Sequence, residues 1–222
     1  MQLWAVLEKD LRLSWRTRGQ AAAVLAFGAT ALLLLGFAAG PDARMLRSGA
    51  AGFLWIAIVF GSVLALAESF HHEHARRALE GLALLPTAPW ALFLGKALAA
   101  TALLSALGLA LVPVMALLCD VTPGRLVELA AVVLLGASGL AAPGTLYAAM
   151  TSQTRGGPLL LPLLLLPLVA PVLVAASRAT SLLLLGDPMG QLGSWMGLLA
   201  AFNLAFWPLG AAFFGAVLEE QP

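Results

Sequence analysis

Charged side chains interrupt this chain at intervals that leave six long uncharged stretches, over residues 19–41, 48–67, 97–119, 129–154, 156–177 and 188–218. Each is a continuous apolar run dominated by Leu and Ala, without the period-two alternation of a barrel strand. Crossing about 30 Å of hydrocarbon at about 1.5 Å per residue takes about 20 helical residues, so every stretch is long enough to span. The pattern predicts an all-α, polytopic membrane protein with six transmembrane helices, at 20–40, 48–68, 95–118, 128–152, 157–177 and 193–217. Two shorter apolar runs, 81–95 and 179–186, carry proline or abut charges and are not expected to span. The remaining connections are too short for a separate soluble domain, so residues 1–222 read as one transmembrane domain.

The segment before the first span has its own pattern. Trp4, Leu7, Leu11 and Trp15 recur every three or four residues and form one stripe, with Lys9, Arg12 and Arg16 opposite. Over 2–18 this predicts an amphipathic helix lying in the membrane interface, indoles at headgroup depth and cations toward anionic lipid or a partner. A basic leader that only sets topology is the plainer reading. The run ending Phe37-Ala38-Ala39-Gly40 resembles a signal-peptide cleavage region, but it is longer than a secretory core and follows a patterned segment, so a retained span is expected.

Composition sharpens the class. Only 10% of the residues are charged and 61% are hydrophobic, against about a quarter charged in soluble domains. A net charge of +1 with no dense basic patch argues against nucleic-acid binding. The single Cys119 excludes an internal disulfide and any multi-cysteine metal site. The cations also orient the chain. With the N-terminus inside, Lys9, Arg12, Arg16, Arg18, Arg76, Arg77, Lys96 and Arg155 are cytoplasmic, and Arg44, Arg47, Arg125 and Arg178 are outside. With six spans, that bias predicts both termini in the cytoplasm.

Much of the remaining charge lies between spans two and three, where Glu68, Phe70, Glu73, Arg76, Arg77, Leu79 and Glu80 are predicted to form a cytoplasmic helix over 68–80. Glu73 precedes Arg76 and Arg77 by three and four residues, Arg76 precedes Glu80 by four, and Gly81 supplies a stop. Such a helix suits docking on another protein; a solvated loop whose charges keep it out of lipid is the alternative. Trp90 and Lys96 are expected to anchor the next span at the interface. His71 and His74 share a helix face, but no cysteine accompanies them and Glu68 and Glu73 are placed to pair with Arg or cap the helix. A solvated polar face is therefore expected, with no metal bound.

The spans hold almost nothing ionisable, which disfavours an ion-coupled carrier or an intramembrane enzyme. No phosphate-binding loop is present, since Gly95-Lys96-Ala97 lacks the leading Gly and the hydroxyl, so any ATPase belongs to another chain. The spans are instead rich in helix-disturbing and small residues. Pro162, Pro167 and Pro171 interrupt the fifth, Pro143 and Gly144 the fourth, and Gly193 and Gly197 stand in GxxxG spacing in the sixth. Kinks and close helix crossings are expected there, as packing features or as a hinge.

These residues carry a family resemblance. The leader Glu8-Lys9-Asp10-Leu11-Arg12-Leu13, the run Gly52-Phe53-Leu54-Trp55, the stretch from Glu68 to Pro86, and above all Pro143-Gly144-Thr145-Leu146, Thr154-Arg155 and the triple-proline span resemble the B-subunit family of the bacterial heme exporter. The similarity runs nearly end to end, and the His-rich 71–74 departs from it. The resemblance implies an ABC-2 type permease-like bundle, with Glu68–Glu80 as the helix docking on a separate cytoplasmic ABC ATPase. It implies ATP acting through that partner, heme as cargo of the complex rather than a cofactor of this chain, and cytochrome c maturation as the process. A heme-handling membrane subunit, a small membrane subunit, a periplasmic heme chaperone and two copies of this chain are the implied company. An ABC-2 type exporter of a lipid, polysaccharide or drug is one alternative. A non-transporting scaffold that couples an ATPase to a partner is the other.

Overall fold

The computed structural model describes residues 18–75, 89–151 and 157–219. These form six helices and no strand: α1 (Arg18–Ala38), α2 (Ala43–Ala75), α3 (Pro89–Cys119), α4 (Leu126–Thr151), α5 (Gly157–Leu185) and α6 (Leu192–Glu219). Five are long and apolar enough to cross a membrane, and α1 carries a shorter apolar stretch over Ala22–Ala38. The whole of α1 is 21 residues, uncharged after Arg18, and reaches about 31 Å. The protein is a multi-pass helical membrane protein. The expected interfacial segment lies outside the described residues except for Arg18, the first residue of α1.

Three short connections, 39–42, 120–125 and 186–191, share one end of the bundle, so successive helices alternate in direction. Their local chemistry terminates each helix. Asp42 caps α2, its carboxylate accepting the Arg44 amide at 2.8 Å. At the end of α3 the Val121 amide reaches back to the Ala116 carbonyl at 3.1 Å. That bond needs a left-handed residue between them, and Asp120 supplies it at φ 49°. Asp, which tolerates this region, stands where Gly is usual, and its carboxylate pairs with Arg47. Gly186, at φ 102°, ends α5.

Helix α4 is the centre of the bundle. It packs against α2, α3, α5 and α6, and fifteen of its 26 residues are buried. Helix α1 packs only on α2 and α3, while α6 lies on α3, α4 and α5.

Several boundaries differ from the sequence expectation for physical reasons. Helix α3 starts at Pro89 rather than 95, because proline is tolerated in a first turn whose N–H groups need no partner. Trp90 at its mouth is exposed, as an interface anchor should be, but Lys96 is only 4% exposed and sits inside the bundle rather than snorkelling at a span's end. Helix α5 runs through Arg178 to Leu185 and so takes in all but Gly186 of the 179–186 run not expected to span. Arg178 is exposed, 21 residues along the helix from Gly157, a distance of about one hydrocarbon thickness.

Candidate functional site

The sequence points to two regions, the charged stretch after the second span and the proline- and glycine-rich fourth to sixth spans. The first is an extension of α2 rather than a separate short helix. The uncharged run of α2 ends at Ala67, and its backbone stays helical to Ala75. Glu68, Phe70 and Glu73 belong to that continuation, as do His71, His72 and His74. Arg76, Arg77, Leu79 and Glu80 lie outside the described residues. The whole of α2 is 33 residues, about 50 Å, against about 30 Å of hydrocarbon. The eight residues after Ala67 continue the same helix for about 12 Å.

In the second region, Pro143 and Gly144 are buried at the middle of the bundle. A Cβ on Gly144 would stand 2.5 Å from the Leu66 side chain, so any larger residue here would have to displace the tip of that leucine. Pro162 is half-buried, whereas Pro167 and Pro171 are exposed, and α5 stays helical through all three. Each outward proline removes the donor for the carbonyl four residues earlier, so the Leu163 and Pro167 carbonyls lack their intrahelical partner on the same outward face. A Cβ on Gly193 or Gly197 would meet nothing within 4 Å, so their GxxxG face is open within this chain.

Sequence reasoning missed the close approaches made elsewhere. Gly136 is the tightest: a Cβ there would lie 2.1 Å from the Trp55 ring. Trp55 is buried, and its Nε1 donates to Thr180 Oγ1 at 2.9 Å, joining α2 to α5 beneath α4. Gly210 receives the Phe93 ring in the same way, with Phe93 in turn against Phe214 at 5.6 Å between centroids. The signal available was small residues among large ones, but spacing alone does not say which aromatic fills which notch.

A polar cluster joins α4 to α6. The Asn203 amide donates to the Leu135 carbonyl at 3.0 Å and to the Leu199 carbonyl at 2.8 Å. Trp207 Nε1 donates to Ser138 Oγ at 2.9 Å and to Asn203 Oδ1 at 3.2 Å. All three side chains are half-buried. At the loop end, Arg125 pairs with Glu128 and Arg47 with Asp120, so four of the charges there are mutually compensated. Asp187 accepts the Gln191 and Leu192 amides at 2.8 and 2.9 Å, and these backbone bonds hold its carboxyl below the ordinary aspartate range. Among the described residues no three of His, Cys, Asp and Glu converge as metal ligands.

A family model described as CcmB protein matches residues 1–220 of the chain. The chain is 32% identical to heme exporter protein B of Pseudomonas aeruginosa over 208 residues, 93% of each chain. It is 35% identical to heme exporter protein B of Paracoccus denitrificans over 212 residues, covering 94% of this chain and 95% of the relative. With that of Bradyrhizobium diazoefficiens it shares 30% identity over 211 residues, 94% of this chain and 93% of the relative.

Proposed function

This chain belongs to the CcmB family, and from that premise we propose that it is the membrane permease subunit of an ABC-type heme exporter complex in cytochrome c maturation. It couples ATP hydrolysis by a separate cytoplasmic ATPase to heme handling and to release of the heme-loaded chaperone on the outer face. The family name supplies the heme; the observation that supports the coupling is the unbroken helix α2. Its apolar window lies in the bilayer, and the same axis carries Glu68, Phe70 and Glu73 beyond it. A push on a projecting helical end is transmitted along a hydrogen-bonded rod, where a flexible loop would absorb it. Inside the bilayer α2 touches α4 and α5 as well as α1 and α3, so displacement of its cytoplasmic end reaches the helices that carry the prolines.

In this reading the chain is not itself an enzyme. It sits in the bacterial inner membrane with both termini cytoplasmic, the end bearing 39–42, 120–125 and 186–191 facing the periplasm. Two copies, a heme-handling membrane subunit and a small membrane subunit complete the assembly. The test is co-purification of the ATPase with charge-reversed variants in mild detergent. Glu73→Lys and Arg77→Glu should each lower ATPase recovery several-fold while the bundle stays folded. Undiminished recovery in both would remove the docking role. A different ATPase and cargo co-purifying with the native chain would replace heme export by another ABC-2 type transport.

A further inference from the structure

Helix α6 buries the smallest share of its described residues, and its attachment to α4 is unusual in kind. Of its described side chains only Leu192, Leu199, Gly210 and Phe214 are fully buried. Leu192 and Leu199 hold the outer half, with the Asp187 turn behind them. Gly210 and Phe214 hold the inner half against Phe93. Between Leu199 and Gly210 lie about three turns with no fully buried residue, and there hydrogen bonds from Asn203 and Trp207 to α4 add to the half-buried Phe202, Phe206 and Trp207 rings packed on the core. Asn203 stands about 16 Å along α6, near the middle of the bilayer.

Each donor in this cluster has two acceptors, one across the interface and one on its own helix. Asn203 reaches Leu135 on α4 and Leu199 on α6; Trp207 reaches Ser138 on α4 and Asn203 on α6. If α6 moved away from α4, the indole N–H would keep a partner, and so would one of the two amide hydrogens. The Leu135 carbonyl stays within the α4 ladder, and a serine hydroxyl can turn back onto its own helix. Polar groups in lipid normally resist separation because they would be left bare; here separation bares little. Apolar surface adds no hydrophobic penalty, because lipid replaces protein. The backbones are weakened at the same level, by Pro208 in α6 and by Gly139, Pro143 and Gly144 in α4.

We propose that Asn203, Trp207 and Ser138 form a latch, and that the middle of α6 parts from α4 and re-docks in the bilayer with the latch setting the balance. The proposal stands independently of the cargo and of the ATPase. It is tested on the full chain in lipid nanodiscs, with Cys119→Ala and spin labels at Leu134→Cys and Leu204→Cys, both on exposed positions flanking the latch. A minor population at longer distance is expected in the otherwise native chain. It should rise at least fivefold in Asn203→Leu and in Trp207→Phe, which keeps an aromatic ring and loses the N–H. The thermal melting of helical ellipticity should stay in place in both. If the two variants leave the distance distribution unchanged, or if longer distances appear only together with loss of the melting transition, α6 is a fixed strut and the proposal falls.

Discussion

Single side chains in this bundle act mainly through fit, because lipid removes the hydrophobic contrast that would otherwise hold helices together. Gly136 is the clearest case, since the Trp55 ring occupies the volume a methyl would need and is itself tied to Thr180. Gly136→Ala is expected to cost about 1–3 kcal/mol through overpacking, seen as a lowered melting temperature in detergent. Combined with Trp55→Phe it should lose less than the sum of the two single variants, because they share one contact. Asp187 acts through charge. Its backbone bonds depress the folded pKa, so its contribution to stability is fully present above the unfolded value of about 3.9 and is lost as pH falls through the lower folded value. Melting followed downward from pH 5 should therefore show an acid-side loss in the native chain that Asp187→Asn flattens; superimposable profiles would deny the turn its capping role. The partner of Gly136 is not visible in the sequence, where Trp55 and its acceptor Thr180 lie 125 positions apart and nothing in their spacing selects them, whereas those of Asp187 are local, at Leu192 and Gln191.

At the scale of elements, the six apolar runs were legible because the bilayer imposes a length on every one. Their ends were less so. Charge marks where a span leaves hydrocarbon, not where its helix stops, and both Glu68 in α2 and Arg178 in α5 lie within continuing helices. Hydrogen-bonded backbone continues into the headgroups and beyond until a cap or a breaker intervenes. The prolines of α5 were expected to disturb that helix, and they remain inside it, two of them turned outward. Pro167→Ala restores a backbone donor on that outward face. It should leave membrane insertion unchanged, since the span is no less apolar, yet lower cytochrome c maturation in a complemented deletion strain by several-fold. Normal maturation in that strain would make the proline a passive feature of α5.

For the whole molecule the alternation of six helices places all three short loops at one end, and the cation bias predicts that this end faces the periplasm. Thr122→Cys, in an exposed loop position, should react with a membrane-impermeant maleimide in intact spheroplasts, whereas Gln153→Cys should react only after permeabilisation. The reverse pattern would invert the topology. The sequence by itself determined the class, the number and order of the long apolar helices, and through its proline and leader motifs the family. Those follow from lengths and local residue types, which the bilayer converts directly into helices. Only the tertiary structure decided that α4 is central and α6 peripheral, that Gly136, Gly144 and Gly210 rather than Gly193 and Gly197 are the close crossings, and that Asn203 is bonded across to α4. Helices that are apolar all round carry no stripe to announce their partners. Which faces meet is settled by shape and by a few hydrogen bonds between residues far apart in the chain.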